Sequence, residues 1–209
     1  MKKLATLFAM MAVGLGNAWA QGQIDFHNPG GATGFPLQVR DTSGNVTTLG
    51  APGSPLAQGS VRVGLFIGPN GSTSLSQLSL ITVITNSTLA ISAFYGTFNG
   101  GTSFPVPGFA PNASVSFAFA AWSISTGALT YQGAYDPAIN PTKAGYGGVS
   151  AIGQNYTLGG FGTPPSIPGP TFGTGAGQIQ GFTLTPVPEP STIALGILGA
   201  AALLLRRRN

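Results

Sequence analysis

The chain has 209 residues, and only 6% of them are charged, against about 25% in an average soluble protein. The net charge of +4 comes from the two ends, since the basic residues Arg40, Arg62 and Lys143 between them are balanced by Asp25, Asp41 and Asp136. A neutral central region argues against a nucleic-acid-binding face, and the absence of cysteine excludes disulfides and thiolate metal sites.

The first 20 residues have the three parts of a secretory signal peptide. A pair of lysines precedes the apolar stretch 4–15, which is typical of a signal helix. Ala18 and Ala20 have the small side chains of a cleavage site, so the mature chain is predicted to begin at Gln21. We therefore expect export; the alternative is an uncleaved anchor.

The composition of the middle of the chain favours many turns around a true core. The 33 glycines and 17 prolines disfavour long helices, and low charge with such a composition is also found in disordered chains. Against disorder stand 13 phenylalanines and many aliphatic residues, which are enough to form a core. We predict one domain over residues 21–186.

Alternating apolar residues predict strands along most of this domain. The predicted strands cover residues 23–27, 37–40, 46–49, 61–67, 78–84, 89–94, 113–124, 129–131, 149–152 and 178–184. The segment 113–124 is apolar on both faces and is expected at the centre of a sheet. The segments 98–111, 133–148 and 158–177 are predicted to be irregular. The fold class is thus all-β, an antiparallel β-sandwich of jelly-roll or Ig-like type.

Catalytic residues are scarce. His27 is the single histidine, and Asp25 lies two residues away on the same face of the first strand, so the two side chains can meet. A Ser-His-Asp site would have to use His27, although its orienting acid usually comes from elsewhere in the fold, and no Gly-x-Ser-x-Gly motif is present. The three aspartates of the domain lie in separate segments and make a weak case for glycoside hydrolysis. We predict no catalytic residue and no cofactor, and rank a hydrolase last.

Asp41 and Asn45 flank the loop of a predicted hairpin. Their oxygens suit Ca²⁺, but the loop lacks the acidic density of a calcium site. A turn held by the Asp and Asn side chains is the favoured interpretation, and no metal site is predicted.

Aromatic residues in the predicted loops suggest a surface that stacks against sugars. Such a platform would make the domain a carbohydrate-binding module, although most of the phenylalanines are expected in the core. The candidates are Phe94, Tyr95, Phe98, Phe104, Phe109, Tyr131, Tyr135, Tyr146 and Tyr156.

The last 23 residues form a separate tail, predicted as residues 187–209. A short polar segment comes first, namely Val187, Pro188, Glu189, Pro190, Ser191 and Thr192. An apolar run to Leu205 follows, and Arg206, Arg207 and Arg208 close it. A helix over residues 191–205 spans roughly 22 Å, which snorkelling arginines can extend toward the ~30 Å hydrocarbon core. We predict a transmembrane helix with the arginines as a cytoplasmic membrane stop; the alternative is a buried core helix.

Pro-Glu-Pro, a short apolar helix and a basic end, in this order, resemble the PEP-CTERM sorting tail of Gram-negative bacteria. The resemblance covers about a tenth of the chain. It implies that an exosortase, a membrane-embedded cysteine protease, recognises the tail, cuts near the motif and passes the protein onward. We therefore expect an exported, non-enzymatic protein, anchored in the inner membrane before processing and then placed at the cell surface or in an exopolysaccharide matrix. Its expected partners are the export machinery, the exosortase and exopolysaccharide, with no nucleic acid. The alternative function is a carbohydrate-binding module acting on exopolysaccharide.

Overall fold

The structure is a computed structural model that describes residues 21–28, 34–89, 92–136, 139–140, 145–161 and 164–187. The predicted signal helix and transmembrane helix lie outside the described residues. Within these residues the chain is mostly strands in sheets, so the all-β prediction is confirmed. No helix among them is long and apolar enough to cross a membrane.

The long strand β7 (Ser114–Ser123) is the centre of the larger sheet. Along one edge it pairs antiparallel with β4 (Val61–Pro69) over nine residues. Along the other edge it pairs with β9 (Gly153–Thr157) near its start and with β8 (Gly145–Val149) near its end. The predicted central position is therefore confirmed, and it follows from apolar side chains on both faces of β7.

The other strands extend this sheet in both directions. Beyond β4 lies β5 (Ser79–Thr85), and beyond β8 lie β10 (Thr183–Val187), β2 (Gln38–Arg40) and β3 (Val46–Thr48) in that order. The predicted hairpin of β2 and β3 is confirmed. The pairing of β10 with β2 is parallel, which departs from the purely antiparallel prediction. Parallel neighbours need a long connection, and these two strands are separated by most of the domain.

A small sheet of β1 (Gly22–Ile24) and β6 (Phe104–Val106) packs on one face of the larger sheet. At the contact, the Phe119 ring of β7 stacks on Phe26 at 5.6 Å and on Phe172 at 5.1 Å between ring centroids. Phe98 and Phe117 pack against the same ring at 5.4 and 5.7 Å. This phenylalanine cluster forms the middle of the core, with all five rings at most 3% exposed.

The opposite face of β7 is covered by local structure. Trp122 is fully buried there beside Ala128, Ala134 and Tyr131. The one-turn helix α1 (Tyr131–Tyr135) lies against this face, and the Thr130 hydroxyl caps it by accepting a hydrogen bond from Gly133 N at 3.1 Å. The strand predicted at 129–131 is therefore wrong, because a capped turn over Trp122 replaces it.

Five further predictions need correction. Residues 92–94 form a 3₁₀ turn rather than the end of a strand. Two segments predicted to be irregular contain strands, since β6 lies inside 98–111 and β8 begins inside 133–148. Of the strand predicted at 149–152, Val149 ends β8, and β9 begins after it at Gly153. The last strand begins at Thr183, five residues after the predicted start. Glycine-rich strands such as β8 have too few side chains for an alternation to be visible.

Candidate functional site

The predicted sorting tail leaves the domain directly from the sheet. In β10, Pro186 and Val187 pair with Tyr146 and Gly145 of β8, while Thr183 and Leu184 pair with β2. Val187, the first residue of the predicted sorting motif, is therefore the last residue of a strand that has neighbours on both sides. The rest of that motif, the arginines of the membrane stop, Ala18 and Ala20 lie outside the described residues; Gln21 is the first residue inside them.

A cleft of about 340 Å³ lies at the other end of the sheet, where β7 begins. The register Ser114↔Thr157 places the loops before β7 and around β9 side by side there. Its walls contain no charged side chain, and amides and hydroxyls alternate with apolar groups. The lining residues are Asn112, Asn155, Tyr156, Thr157, Leu158, Ser166, Ile167, Gly169, Pro170, Ala176 and Gln178.

Asn112 and Asn155 are the polar side chains with spare hydrogen-bonding capacity in this cleft. Asn112 Oδ1 accepts from Ser166 Oγ at 2.8 Å, and Asn155 Oδ1 accepts from Asn70 Nδ2 at 2.7 Å. Neither Nδ2 group donates to a described residue, and both side chains are exposed. Among the described residues, these two are the non-glycine residues with positive φ, at 62° and 56°. Left-handed backbone outside glycine is uncommon and is enriched at functional sites.

Tyr156 forms one wall of the cleft and is only 6% exposed. Its hydroxyl donates to Gly169 O and accepts from Asp25 N at 3.5 Å. Burial raises the pKa of Tyr156, so the hydroxyl stays neutral. The two exposed amides can thus donate hydrogen bonds into an uncharged cleft whose wall includes the largely buried Tyr156.

The structure brings Asp25 and His27 together, as their spacing predicts. His27 Nδ1 contacts Asp25 Oδ1, and Thr171 Oγ1 donates to Asp25 O at 2.9 Å. Within the described residues, His27 has no hydrogen bond to a serine or threonine hydroxyl. Among the described residues, the pair therefore shows the acid–histidine contact of a triad without a hydroxyl group bonded to His27.

Asp25 should make the stability of the domain fall as the pH rises. Burial raises the pKa of the Asp25 carboxyl above its ordinary value of 3.8, against the opposing effect of His27. A raised folded-state pKa contributes stability that is complete below the unfolded value and is lost as the pH rises through the folded value. We therefore expect Asp25→Asn to weaken the fall in unfolding free energy that occurs as the pH rises past the ordinary carboxyl pKa of 3.8.

The control for this measurement is Asp41→Asn. The hydrogen bond from the Asn45 side chain lowers the pKa of Asp41, so its contribution has the opposite sign and is lost as the pH falls. Denaturant midpoints of the two variants and the wild type, measured as the pH rises past 3.8, provide the test. If the unfolding free energy changes equally with pH in the wild type and in Asp25→Asn, Asp25 is not responsible for the pH dependence of stability.

The Asp41 loop is a turn held by the side chains of Asp41 and Asn45, which is the interpretation that the sequence favours over a calcium site. Asn45 N donates to Asp41 Oδ1 at 2.8 Å, and Asn45 Nδ2 donates to Asp41 Oδ2 at 3.0 Å. Both carboxylate oxygens are thus engaged within the turn. No group of three or more His, Cys, Asp or Glu side chains that could hold a metal ion occurs among the described residues.

The predicted aromatic platform does not form as a unit. Phe98 and Tyr156 are buried, whereas Phe104, Phe109, Tyr95, Tyr131 and Tyr146 are partly buried. Phe94 and Tyr135 are exposed, at 39% and 40%. Of the nine candidates, Tyr156 alone lines the cleft. Asn112 and Asn155 were missed, because no local pattern shows that the loop before β7 and strand β9 line the same cleft.

Comparison with known protein families identifies the tail. Residues 186–208 match the PEP-CTERM protein-sorting motif, which is the resemblance inferred from the sequence. The match begins at Pro186, inside β10, and supports an exported protein whose membrane-anchored precursor is processed by an exosortase. Comparisons with curated proteins and with solved structures give no match.

Proposed function

We propose that this protein is a non-enzymatic component of the surface or extracellular matrix of a Gram-negative bacterium. The observation that carries the proposal is the sorting motif at residues 186–208, which follows the domain without a linker. Residues 1–20 act as a signal peptide cleaved before Gln21, residues 21–186 form the domain, and residues 187–209 form the tail with its transmembrane helix. The jelly-roll or Ig-like type of the predicted sandwich stays a prediction.

The signal peptide is tested by the N-terminus of the exported protein. Mass spectrometry of protein from the native host should find peptides that begin at Gln21, because Ala18 and Ala20 place the cut there. Arginine in place of Ala18 and Ala20 should block this cut and leave the longer chain. Peptides that contain Lys2 or Lys3 in most of the wild-type protein would contradict the assignment.

A second candidate function, supported by the cleft, is the binding of a neutral polysaccharide. Sugars offer many hydroxyl groups and an apolar ring face, which match the free amides of Asn112 and Asn155 and the wall formed by Tyr156. The cleft has no charged side chain, so it suits an uncharged glycan. It also lies at the end of β7 opposite to the exit of the tail, where it can face outward from the cell.

Removal of the two amides tests this function. We expect Asn112→Gly and Asn155→Gly each to weaken retention on the host's exopolysaccharide by about 3- to 10-fold, the effect of one hydrogen bond. Glycine keeps the positive φ of both positions, so the backbone is unstrained. The control Asn45→Gly removes an exposed amide at the opposite end of the sheet. Equal binding of all four proteins in a pull-down or glycan array would contradict the proposal.

A further inference from the structure

Three large apolar side chains are exposed close together after the end of β7. Leu129 is 74% exposed, Ile139 54% and Tyr135 40%, and we call these three residues the Leu129 patch. An ideal Cβ at Gly133 would lie 3.3 Å from Ile139 Cδ1 and 3.4 Å from Ala128 Cβ, which shows how closely the segment folds on itself. Three large exposed apolar side chains within eleven residues of one folded segment are a candidate interaction surface.

The sheet holds this patch in place. Trp122 Nε1 donates to Ala128 O at 3.1 Å, and the Arg62 guanidinium donates to the same carbonyl. The Tyr135 hydroxyl lies over Gly147 of β8, where an added Cβ would be 2.0 Å from it. The apolar side chains are therefore presented by a supported segment whose position is set by β4, β7 and β8.

The patch lies beside the point where the chain leaves the domain. Gly147, under Tyr135, pairs with Thr185 of β10, and Val187 ends that strand two residues later. The apolar run of the tail follows from there, in residues 188–209 outside the described part of the chain. Any membrane that holds the tail must pass close to this end of the sheet.

We propose that, in the precursor, the Leu129 patch rests on the lipid surface of the membrane in which the tail is anchored. The inference rests on the proposed membrane-anchored precursor and adds an orientation to it. Leu and Ile side chains gain by entering the acyl boundary. The Tyr135 ring lies beside them, with its hydroxyl held on the sheet over Gly147 and bonded to the Tyr131 hydroxyl. The Asn112–Asn155 cleft, at the opposite end of β7, then faces away from the membrane. The same contact sets the distance between the Pro-Glu-Pro segment and a membrane-embedded protease.

Single-cysteine labelling tests the orientation, since the chain has no native cysteine. The full precursor with Leu129→Cys is labelled with an environment-sensitive fluorophore and reconstituted in vesicles of phosphatidylethanolamine and phosphatidylglycerol. Ile167→Cys is the matched control, because Ile167 is 89% exposed but lines the cleft. A headgroup-region spin label on the lipid should quench the label at 129 about threefold more than the label at 167, as expected for a residue at the acyl boundary.

Vesicle flotation separates this inference from the function it rests on. If the precursor does not float with the vesicles, the membrane-anchored precursor itself is wrong. If it floats but both labels are quenched equally, anchoring stands and the orientation is overturned. If the label at 129 is shielded from water but is not quenched by the lipid, the tail or a second copy of the chain covers the patch. That result also overturns the proposed orientation. The proposed orientation is supported if the label at 129 is quenched more than the label at 167, and if this difference falls when the substitution Ile139→Ser is introduced as well.

Discussion

Phe119→Ala is expected to lower the free energy of unfolding by about 3–5 kcal/mol, a large part of the about 5–15 kcal/mol that stabilises an ordinary domain. Phe119 is fully buried, and its ring contacts those of Phe26, Phe98, Phe117 and Phe172. Alanine leaves a cavity in the contact between the two sheets, and the neighbouring rings can fill it only in part. Phe117→Ala should have a similar but smaller effect, because the Phe117 ring packs against two other rings, those of Phe119 and Tyr156.

The measurement is chemical denaturation of the exported protein, followed by the fluorescence of Trp122, its single tryptophan once the predicted signal peptide is removed. Phe94→Ala is the matched control, because it removes the same ring from a position that is 39% exposed. We expect this control to shift the midpoint much less than Phe119→Ala. Equal shifts in the two variants would mean that the phenylalanine cluster does not form the core of the domain.

Glu189→Ala is expected to stop processing and to leave the precursor in the inner membrane. Glu189 is the one glutamate of the chain, and the prolines on either side of it predict an extended segment of the kind that a protease requires. β10 ends at Val187, where it pairs with β8 alone, so the protease must reach its site immediately after a strand of the sheet. The side chain of Glu189 is then the charge nearest the predicted cut.

A pulse-chase blot with fractionation in the native host tests the role of Glu189. Asp41→Asn is the matched control, because it also removes one carboxylate but from an exposed hairpin, and it should be processed normally. Replacing Arg206, Arg207 and Arg208 with serine should instead weaken retention before processing, since charges that resist entry into hydrocarbon act as a stop. Normal processing of Glu189→Ala, with a C-terminal tag intact on the released protein, would contradict the sorting function of the tail.

The two ends of β7 give the domain a direction. One end carries the exit of the tail and the Leu129 patch, and the other carries the uncharged cleft. A polysaccharide-binding site at the far end would be presented outward before processing. Because the tail follows β10 directly, the cleft would keep this orientation until the chain is released.

The sequence by itself determined the features that depend on neighbouring residues. Alternation over residues 61–67 and 113–124 predicted β4 and β7, and the Asp41 to Asn45 turn predicted the hairpin between β2 and β3. The sorting motif is likewise a local pattern, which the family comparison confirmed. Each of these signals lies within one segment, where side-chain periodicity and turn chemistry record the local structure directly.

Tertiary structure alone decided which distant segments meet. The parallel pairing of β10 with β2 joins residues far apart in the chain, and so does the cleft that Asn112 and Asn155 of β9 both line. The packing of α1 over Trp122 is likewise a tertiary contact. Residues 129–131 read locally as a strand, but burying Trp122 and capping the turn with Thr130 favour a helix there. The reason is that weak local preferences yield to the burial of apolar surface, and burial depends on partners that no single segment contains.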